Sequence, residues 1–244
     1  MRSQPIGYEC TSCPFRREQS FCDLSLSALE DLDKVKCRAS YPKGAKLFHE
    51  GQPPRGIFVL CAGAAKLWTS SSGGRTIITR IARSGEVLGL NAAISGRCYS
   101  VSAEMMEPGQ ANFIPRDALL QLMRDHREVA VGVGEQLSAV YYTAHDEVRT
   151  LGLTTNPAER LAKVLLSWTT DASHTDGCAD SLAVKLTLNH EEIGQTIGAT
   201  RQTVTRLLSE FRKRQMLQLR KSVLCIQDRP ALEKISGLTF EARL

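Results

Sequence analysis

Between Leu188 and Gln215 the chain carries two short helices whose ends are written in their own residues, and this segment limits the fold more than any other. The first closes on Gly198. It has Asn189 as its N-cap and Glu192 three residues further on, so each side chain can satisfy a backbone N–H of the other. Gly198 supplies a tight turn, and Thr200 caps a second helix expected over Arg201 to Gln215. Two capped helices joined by a few residues and a turn glycine form a helix-turn-helix.

The second helix has two chemically distinct faces. Val204, Leu207, Leu208 and Phe211 can pack inward, while Arg201, Gln202, Thr205 and Arg206 lie near its N-terminal end on the other side. Those early positions of a recognition helix meet base edges in the major groove of double-stranded DNA. Arginine reads guanine bidentately, glutamine suits adenine, and threonine is less selective. Arg212, Lys213, Arg214, Arg220 and Lys221 follow, with Glu210 the nearest acid; together with Thr200 they are the expected phosphate contacts. Met216 to Leu219 and Ser222 to Ile226 read as two short apolar strands around Arg220 and Lys221, the wing of a winged helix. A solvated basic helix in some other small domain is the competing reading.

The rest of the chain supplies at least one more domain. Its 244 residues, 42% of them hydrophobic, suffice for two cores. A helix is expected from about Asp23 to Val35, where Leu26, Leu29 and Leu32 recur at helical spacing. From Tyr41 to Phe113, short β-branched runs alternate with glycine-bearing turns, which reads as a small barrel or sandwich. After Pro115 the pattern turns helical. Ala130, Val133, Leu137, Val140, Ala144 and Leu151 form an apolar seam suited to pairing with a second copy or to packing on the helix's own domain. Asn156 and Pro157 start a further helix through Trp168; Thr169 to Asp180 is a loop, and Leu182 to Leu188 is strand-like. The fold class is therefore α+β. The expected parts are a cysteine-rich arm (1–23), a β-barrel domain (24–125), a long helix (126–152) and a winged helix-turn-helix (153–244).

A net charge of +5 permits a polyanionic partner without requiring one, so the clustering of the basic residues carries the argument. No run of about twenty apolar residues is present and Met1 to Cys10 lacks the apolar core of a leader, so a cytoplasmic protein with no membrane partner is expected. No P-loop, Gly-x-Ser-x-Gly elbow or kinase motif set occurs, and an enzyme is not expected. The five histidines, His49, His126, His145, His174 and His190, show no metal-ligand spacing.

Cysteine placement matters more than the total of eight. Cys10, Cys13 and Cys22 crowd the N-terminus, close enough to converge on one soft metal centre with a fourth ligand from elsewhere. Zinc would also suit four thiolates, and reduced, unliganded thiols are the remaining alternative. Cys178 and Cys225 stand apart from the cluster.

Leu186 to Leu208 resembles the helix-turn-helix of the Crp/Fnr superfamily. The likeness continues upstream in Tyr41-Pro42-Lys43-Gly44, Glu50-Gly51, Ile57-Phe58-Val59-Leu60 and Gly63, and in Gly85-Glu86-Val87-Leu88-Gly89, which are similar to its cyclic-nucleotide-binding-type barrel. The resemblance covers roughly residues 24 to 238. It implies a jelly-roll sensor, a long dimerisation helix and a winged helix acting as a homodimer on a palindromic operator, with RNA polymerase as a further partner. It places the base-reading positions on Arg201, Gln202, Thr205 and Arg206, with Gln202 standing where many members have glutamate.

The resemblance also frames the signal. Cyclic-nucleotide members hold the phosphate with an arginine–serine pair after the Gly-Glu turn. Here the pair is Tyr99-Ser100 with Arg97 two places early, and tyrosine cannot supply the charge a buried phosphodiester needs. An effector pocket would involve Gly85, Glu86, Arg97 and Ser100, with cyclic nucleotide an unexpected ligand. The arm resembles that of the oxygen-sensing Fnr branch, which implies a [4Fe-4S] cluster on Cys10, Cys13 and Cys22. That branch's fourth cysteine falls on Asn112, so Cys37, Cys61 and Cys98 remain as candidates. A redox- or oxygen-responsive regulator follows. The alternatives are an effector-binding regulatory protein, or a metal or redox carrier, without specific DNA readout.

Overall fold

The computed structural model describes residues 9–13, 16, 20–153, 156–170, 182–185, 188–220 and 223–237. The chain forms two compact units, Met1–Ala144 and His145–Leu244.

The first unit opens with a single turn of tight helix at Cys10–Ser12, followed by helix α1 (Leu26–Val35). Eight strands follow: β1 (Cys37–Tyr41), β2 (Lys46–Phe48), β3 (Gly56–Ala62), β4 (Ala64–Ser70), β5 (Thr76–Arg83), β6 (Val87–Leu88), β7 (Ser102–Met105) and β8 (Gly109–Pro115). A short helix, α2 (Leu90–Ser95), sits between β6 and β7, and α3 (Arg116–Asp125) follows β8. The strands form two antiparallel four-stranded sheets, ordered β1-β8-β3-β6 and β2-β7-β4-β5. This is the expected jelly-roll plan, but as two sheets rather than one closed barrel: no hydrogen-bonded ladder joins one sheet to the other among the described residues.

Strand β3 shows why the sequence folds this way. Its side chains alternate between two cores, as a period of two requires. Phe58 and Leu60 join Phe48, Leu67, Leu88, Tyr99 and Met105 in the core between the sheets. Ile57 and Val59 face the other way, packing with Leu29 and Leu32 of α1, Leu90 of α2 and Leu119 of α3. Strand β3 is therefore covered on both faces, which explains its unbroken apolar run.

Helix α4 (Arg127–Leu153) crosses the boundary between the units. Its expected seam divides in two. Val133 is buried and Leu137 packs against the α1–α3 core, so these two seam positions face their own domain. The large apolar side chains left exposed are Val131, Tyr141, Tyr142 and Val148, at 51%, 67%, 67% and 70% exposure. The helical period holds here, but the exposed stripe is shifted from the seam.

The second unit contains α5 (Pro157–Thr170), β9 (Leu182–Lys185), α6 (His190–Ile197), α7 (Arg201–Lys213), β10 (Leu217–Arg220), β11 (Val223–Ile226) and α8 (Arg229–Ser236). Strands β10 and β11 pair antiparallel, Leu217 opposite Ile226, and β9 adds a third strand on β11. The wing hairpin is thus anchored in a small sheet. Helix α8, which sequence patterning does not single out, is capped by Asp228 and packs against α5.

Candidate nucleic-acid interface

The two central helices of the second unit are fixed by short-range chemistry. The Asn189 side chain accepts from the N–H groups of Glu191 and Glu192 at 2.9 and 3.0 Å, and Glu192 accepts from the Asn189 N–H at 3.0 Å. Gly198 adopts a left-handed conformation, φ 65°, that ends α6. Gly194 is needed for a different reason: a Cβ there would lie 2.6 Å from the Ala199 carbonyl oxygen, so any larger residue would push the turn off the helix. Thr200 Oγ1 accepts from the Thr203 N–H at 3.2 Å, capping α7.

On α7, Val204, Leu207, Leu208 and Phe211 are buried at 0–7% exposure. Arg201, Gln202, Thr205 and Arg206 are all exposed at its N-terminal half, on the opposite face. Among the described residues the ion-pair partner of Arg206 is Glu210, 3.8 Å away one helical turn on. The hydroxyl of Thr205 is engaged twice: it donates to the Arg201 carbonyl at 2.9 Å and lies 2.8 Å from His190 Nδ1 on α6. Sequence reasoning passes over His190, because nothing local announces a partner fifteen residues away.

The helix ends two residues earlier than expected. Met216 N–H bonds the Phe211 carbonyl and Gln215 N–H bonds that of Arg212, closing the end with Gln215 at φ 58°. This is a Schellman end with glutamine where glycine is usual, which is why no sequence signal marks it. Arg212, Lys213 and Arg214 are exposed around this end. Lys221 lies outside the described residues, and Arg220 lies on β10.

In the first unit, the thiols divide into two groups. Cys37 and Cys98 are exposed. Cys10 is buried, its N–H donating to the Asp33 carboxylate at 2.8 Å and its sulfur receiving Lys36 Nζ at 3.0 Å. Asn112 Nδ2 also approaches that sulfur, at 4.0 Å. Cys61 sits at a register irregularity of the β3–β8 pair between Leu60 and Ala62, next to the Val59–Asn112 pairing. Burial pushes the Cys22 thiol up to about 12, helped by neighbouring Cys10, Cys61 and Cys13 and opposed by Lys36. Burial likewise raises Cys61 to about 11, with Cys10 and Cys13 adding and the Asn112 backbone and Lys36 opposing. Cys10, Cys13, Cys22 and Cys61 are thus within electrostatic reach of one another. Among the described residues no set of three or more His, Cys, Asp or Glu side chains is disposed to hold a single metal ion. Cys178 lies outside the described residues, and Cys225 is buried on β11.

The expected effector residues are dispersed in their bonding. Gly85 is in a left-handed turn, and Glu86 pairs with Arg80 and accepts from the Arg83 N–H at 2.8 Å. Arg97 and Ser100 are exposed. Tyr99 is buried instead, its hydroxyl donating to the Gly56 carbonyl at 2.6 Å and its ring stacked 4.2 Å from Phe48.

Comparison with known proteins gives a consistent pattern. Residues 38–126 match the family model of the cyclic nucleotide-binding domain, and residues 159–235 match that of the Crp-like helix-turn-helix domain. The chain is 25% identical to the fumarate and nitrate reduction regulatory protein of Vibrio cholerae over 244 residues, covering 100% of this chain and 96% of that protein. It is 26% identical to the global nitrogen regulator of Nostoc sp. over 191 residues, 77% of this chain and 83% of the relative. The structure of FixK2 from Bradyrhizobium japonicum superposes with a TM-score of 0.74 at 22% identity, covering 84% of this chain and 98% of that one, a likeness of fold.

Proposed function

The chain belongs to the Crp/Fnr superfamily of DNA-binding transcription regulators, and from that premise we propose that it reads a palindromic operator as a homodimer through Arg201, Gln202, Thr205 and Arg206. The observation that carries this assignment is the division of α7. Its apolar face is fully taken up by the core, while four hydrogen-bonding or charged side chains at its N-terminal half face outward. Thr200, Arg212, Lys213, Arg214 and Lys221 are assigned to the phosphate backbone. Half-sites about one helical turn apart present the same groove face to both recognition helices. Val131, Tyr141, Tyr142 and Val148 are assigned to the subunit contact, since exposed apolar side chains of this size on one helix favour burial against a partner. Among the described residues no helix is long and apolar enough to cross a membrane. A cytoplasmic regulator that meets RNA polymerase at the promoter belongs to the same proposal.

The test is operator selection from random duplexes followed by binding titrations. Replacing Arg201, Gln202, Thr205 and Arg206 together by alanine should abolish sequence preference and leave weak, salt-sensitive binding. Retained preference would overturn the assignment.

A second reading concerns the signal, and the position of Cys61 favours it. We propose that Cys10, Cys13, Cys22 and Cys61 hold a soft metal centre, with Cys61 the fourth ligand in place of the Asn112 position. The donor set fits: four thiols within mutual electrostatic reach, with the Lys36 ammonium at the Cys10 sulfur to offset the charge of their thiolates. A single zinc ion requires sulfurs converging at about 2.3 Å from one point. A [4Fe-4S] core, held by four separate thiolates on different irons, does not need its ligands to meet at one point. Bound there, a cluster would supply an oxidant-labile tie between the N-terminal arm and β3. Iron and sulfide analysis after anaerobic purification is the test. Cys61→Ser should lose both, whereas Cys37→Ser and Cys98→Ser should keep them; a Cys61→Ser protein with full iron and sulfide would exclude Cys61. A cyclic nucleotide is not the proposed effector, because Tyr99 is turned into the core where a charged phosphate partner is needed.

A further inference from the structure

We propose that the first unit binds a planar aromatic carboxylate in a cavity walled by β1, β2, β3, β8, the loop from Gln52 to Arg55 and the loop that carries Tyr99. This site is separate from the thiol group and from α7, and it involves none of Gly85, Glu86, Arg97 or Ser100.

The cavity has a volume of about 540 Å³, within the usual range for small-molecule sites. Five aromatic residues line it: Tyr41, Phe48, Phe58, Tyr99 and Phe113. They form a continuous set. Phe48 stacks on Tyr99 at 4.2 Å, Phe58 lies 5.9 Å from Phe48 and 5.1 Å from Phe113, and Tyr41 meets Phe58 edge-on at 6.5 Å. Because the Tyr99 hydroxyl is committed to the Gly56 carbonyl, this residue offers a ring rather than a polar group. Such walls favour a flat π-system, which can stack or meet them edge-to-face.

Charge selects within that class. Among the described residues Arg55 is the one charged residue lining the cavity; no carboxylate lines it, and Arg55 makes no ion pair. A guanidinium fork beside apolar walls suits a carboxylate, which it can take bidentately. An aliphatic acid would forgo the rings, and a neutral aromatic would forgo the fork. The position also has a structural consequence. The Arg55 carbonyl accepts from the N–H of Arg116, the first residue of α3, at 2.9 Å, and Arg116 Nε donates to the Ala93 carbonyl at 2.7 Å. A ligand held by Arg55 therefore lies one peptide away from the α2–α3 packing.

The experiment is calorimetric titration of the full-length protein with benzoate, phenylacetate and 2-naphthoate, against cyclohexanecarboxylate and 2-naphthol. At least one of the aromatic acids should bind saturably, once per chain, and about tenfold or more tighter than cyclohexanecarboxylate or 2-naphthol. Arg55→Gln should weaken the acid about tenfold, as loss of one charge-assisted bond implies, and leave 2-naphthol unchanged. Ala39→Leu, which narrows the cavity from β1, should weaken both. Saturating acid should slow alkylation of Cys37, which lines the cavity, and not that of Cys98, which does not. Absence of saturable binding by all three acids overturns the proposal, as does unchanged affinity in Arg55→Gln or unprotected Cys37. Operator binding and iron content are not read in this experiment, so its failure leaves the functional proposals standing.

Discussion

His190 Nδ1 lies 2.8 Å from Thr205 Oγ1, and the same oxygen lies 2.9 Å from the Arg201 carbonyl. The carbonyl can only accept, so the Thr205 hydroxyl donates to it and His190 must carry its proton on Nδ1. The hydroxyl's one proton is thereby spent inside the protein, so it cannot donate to a base, and the methyl is the main group that Thr205 presents there. Thr205→Val should accordingly preserve base preference at its position. Thr205→Ser should weaken discrimination there by about 1 kcal/mol, at the low end for a base contact. Titrations on duplexes altered one base pair at a time check this, and a Thr205→Val protein with relaxed preference would contradict it.

Gln202 should set the identity of one base pair per half-site. An amide pairs with adenine N6 and N7, whereas a carboxylate accepts from cytosine N4. Gln202→Glu is expected to exchange the preference from adenine to cytosine with a swing of roughly 1–3 kcal/mol. Competition between the two duplexes reads this directly, and unchanged preference would remove Gln202 from the base-reading set.

The cations at the far end of α7 should behave differently. Replacing Arg212, Lys213 or Arg214 by glutamine should weaken all duplexes alike. It should also reduce the slope of log K against log salt by about 0.9 for each phosphate no longer neutralised. A weakening confined to the preferred operator would reassign that residue to base reading.

Gln215 holds a left-handed conformation at the end of α7, at φ 58°. For a residue with a Cβ this costs roughly 1–2 kcal/mol relative to glycine. Gln215→Gly should therefore raise stability by about 1 kcal/mol, visible as a higher midpoint in urea, with operator preference unchanged.

Glu104 of β7 pairs with Lys46 of β2 and lies 3.3 Å from Lys66 of β4, tying three strands of one sheet. Burial pushes its carboxyl up, but the two lysines outweigh this and hold it below its ordinary 4.5. With the folded value depressed, the stabilisation is complete above about 4.5 and disappears as pH falls through the lowered value. Glu104→Gln should lower stability at neutral pH by on the order of 1 kcal/mol, roughly 2–4 °C in Tm, and flatten this acid limb. Thermal melts between pH 3 and pH 7, in steps of about half a unit, test the sign.

What can be read from the sequence is what short-range chemistry determines. Asn189, Glu192, Gly198 and Thr200 announce α6 and the start of α7, because caps and turns act over three or four residues. The end of α7 escapes such reading because its turn uses glutamine. The apolar period of α4 is visible, yet period alone does not say which neighbour a stripe meets. Val133 and Leu137 fit a seam between two copies on paper, although they pack on their own domain. Cys61 is one of three candidates beside Cys10 in the sequence, since only the pairing of β3 with β8 brings those distant positions together. The aromatic cavity leaves no local trace for the same reason. Its walls come from four strands and two loops.

Strand β3 places Phe58 toward the aromatic cavity and Val59 toward the core that holds Cys10 and Cys22, so one seven-residue ribbon forms the party wall between two chambers. Neither chamber can be rebuilt independently of the other. Deleting one residue of β3 ahead of Phe58 would turn the side chains that follow over and put Val59 on the aromatic side. An evolving regulator of this plan is therefore free to change what enters either chamber, but not the parity of the wall.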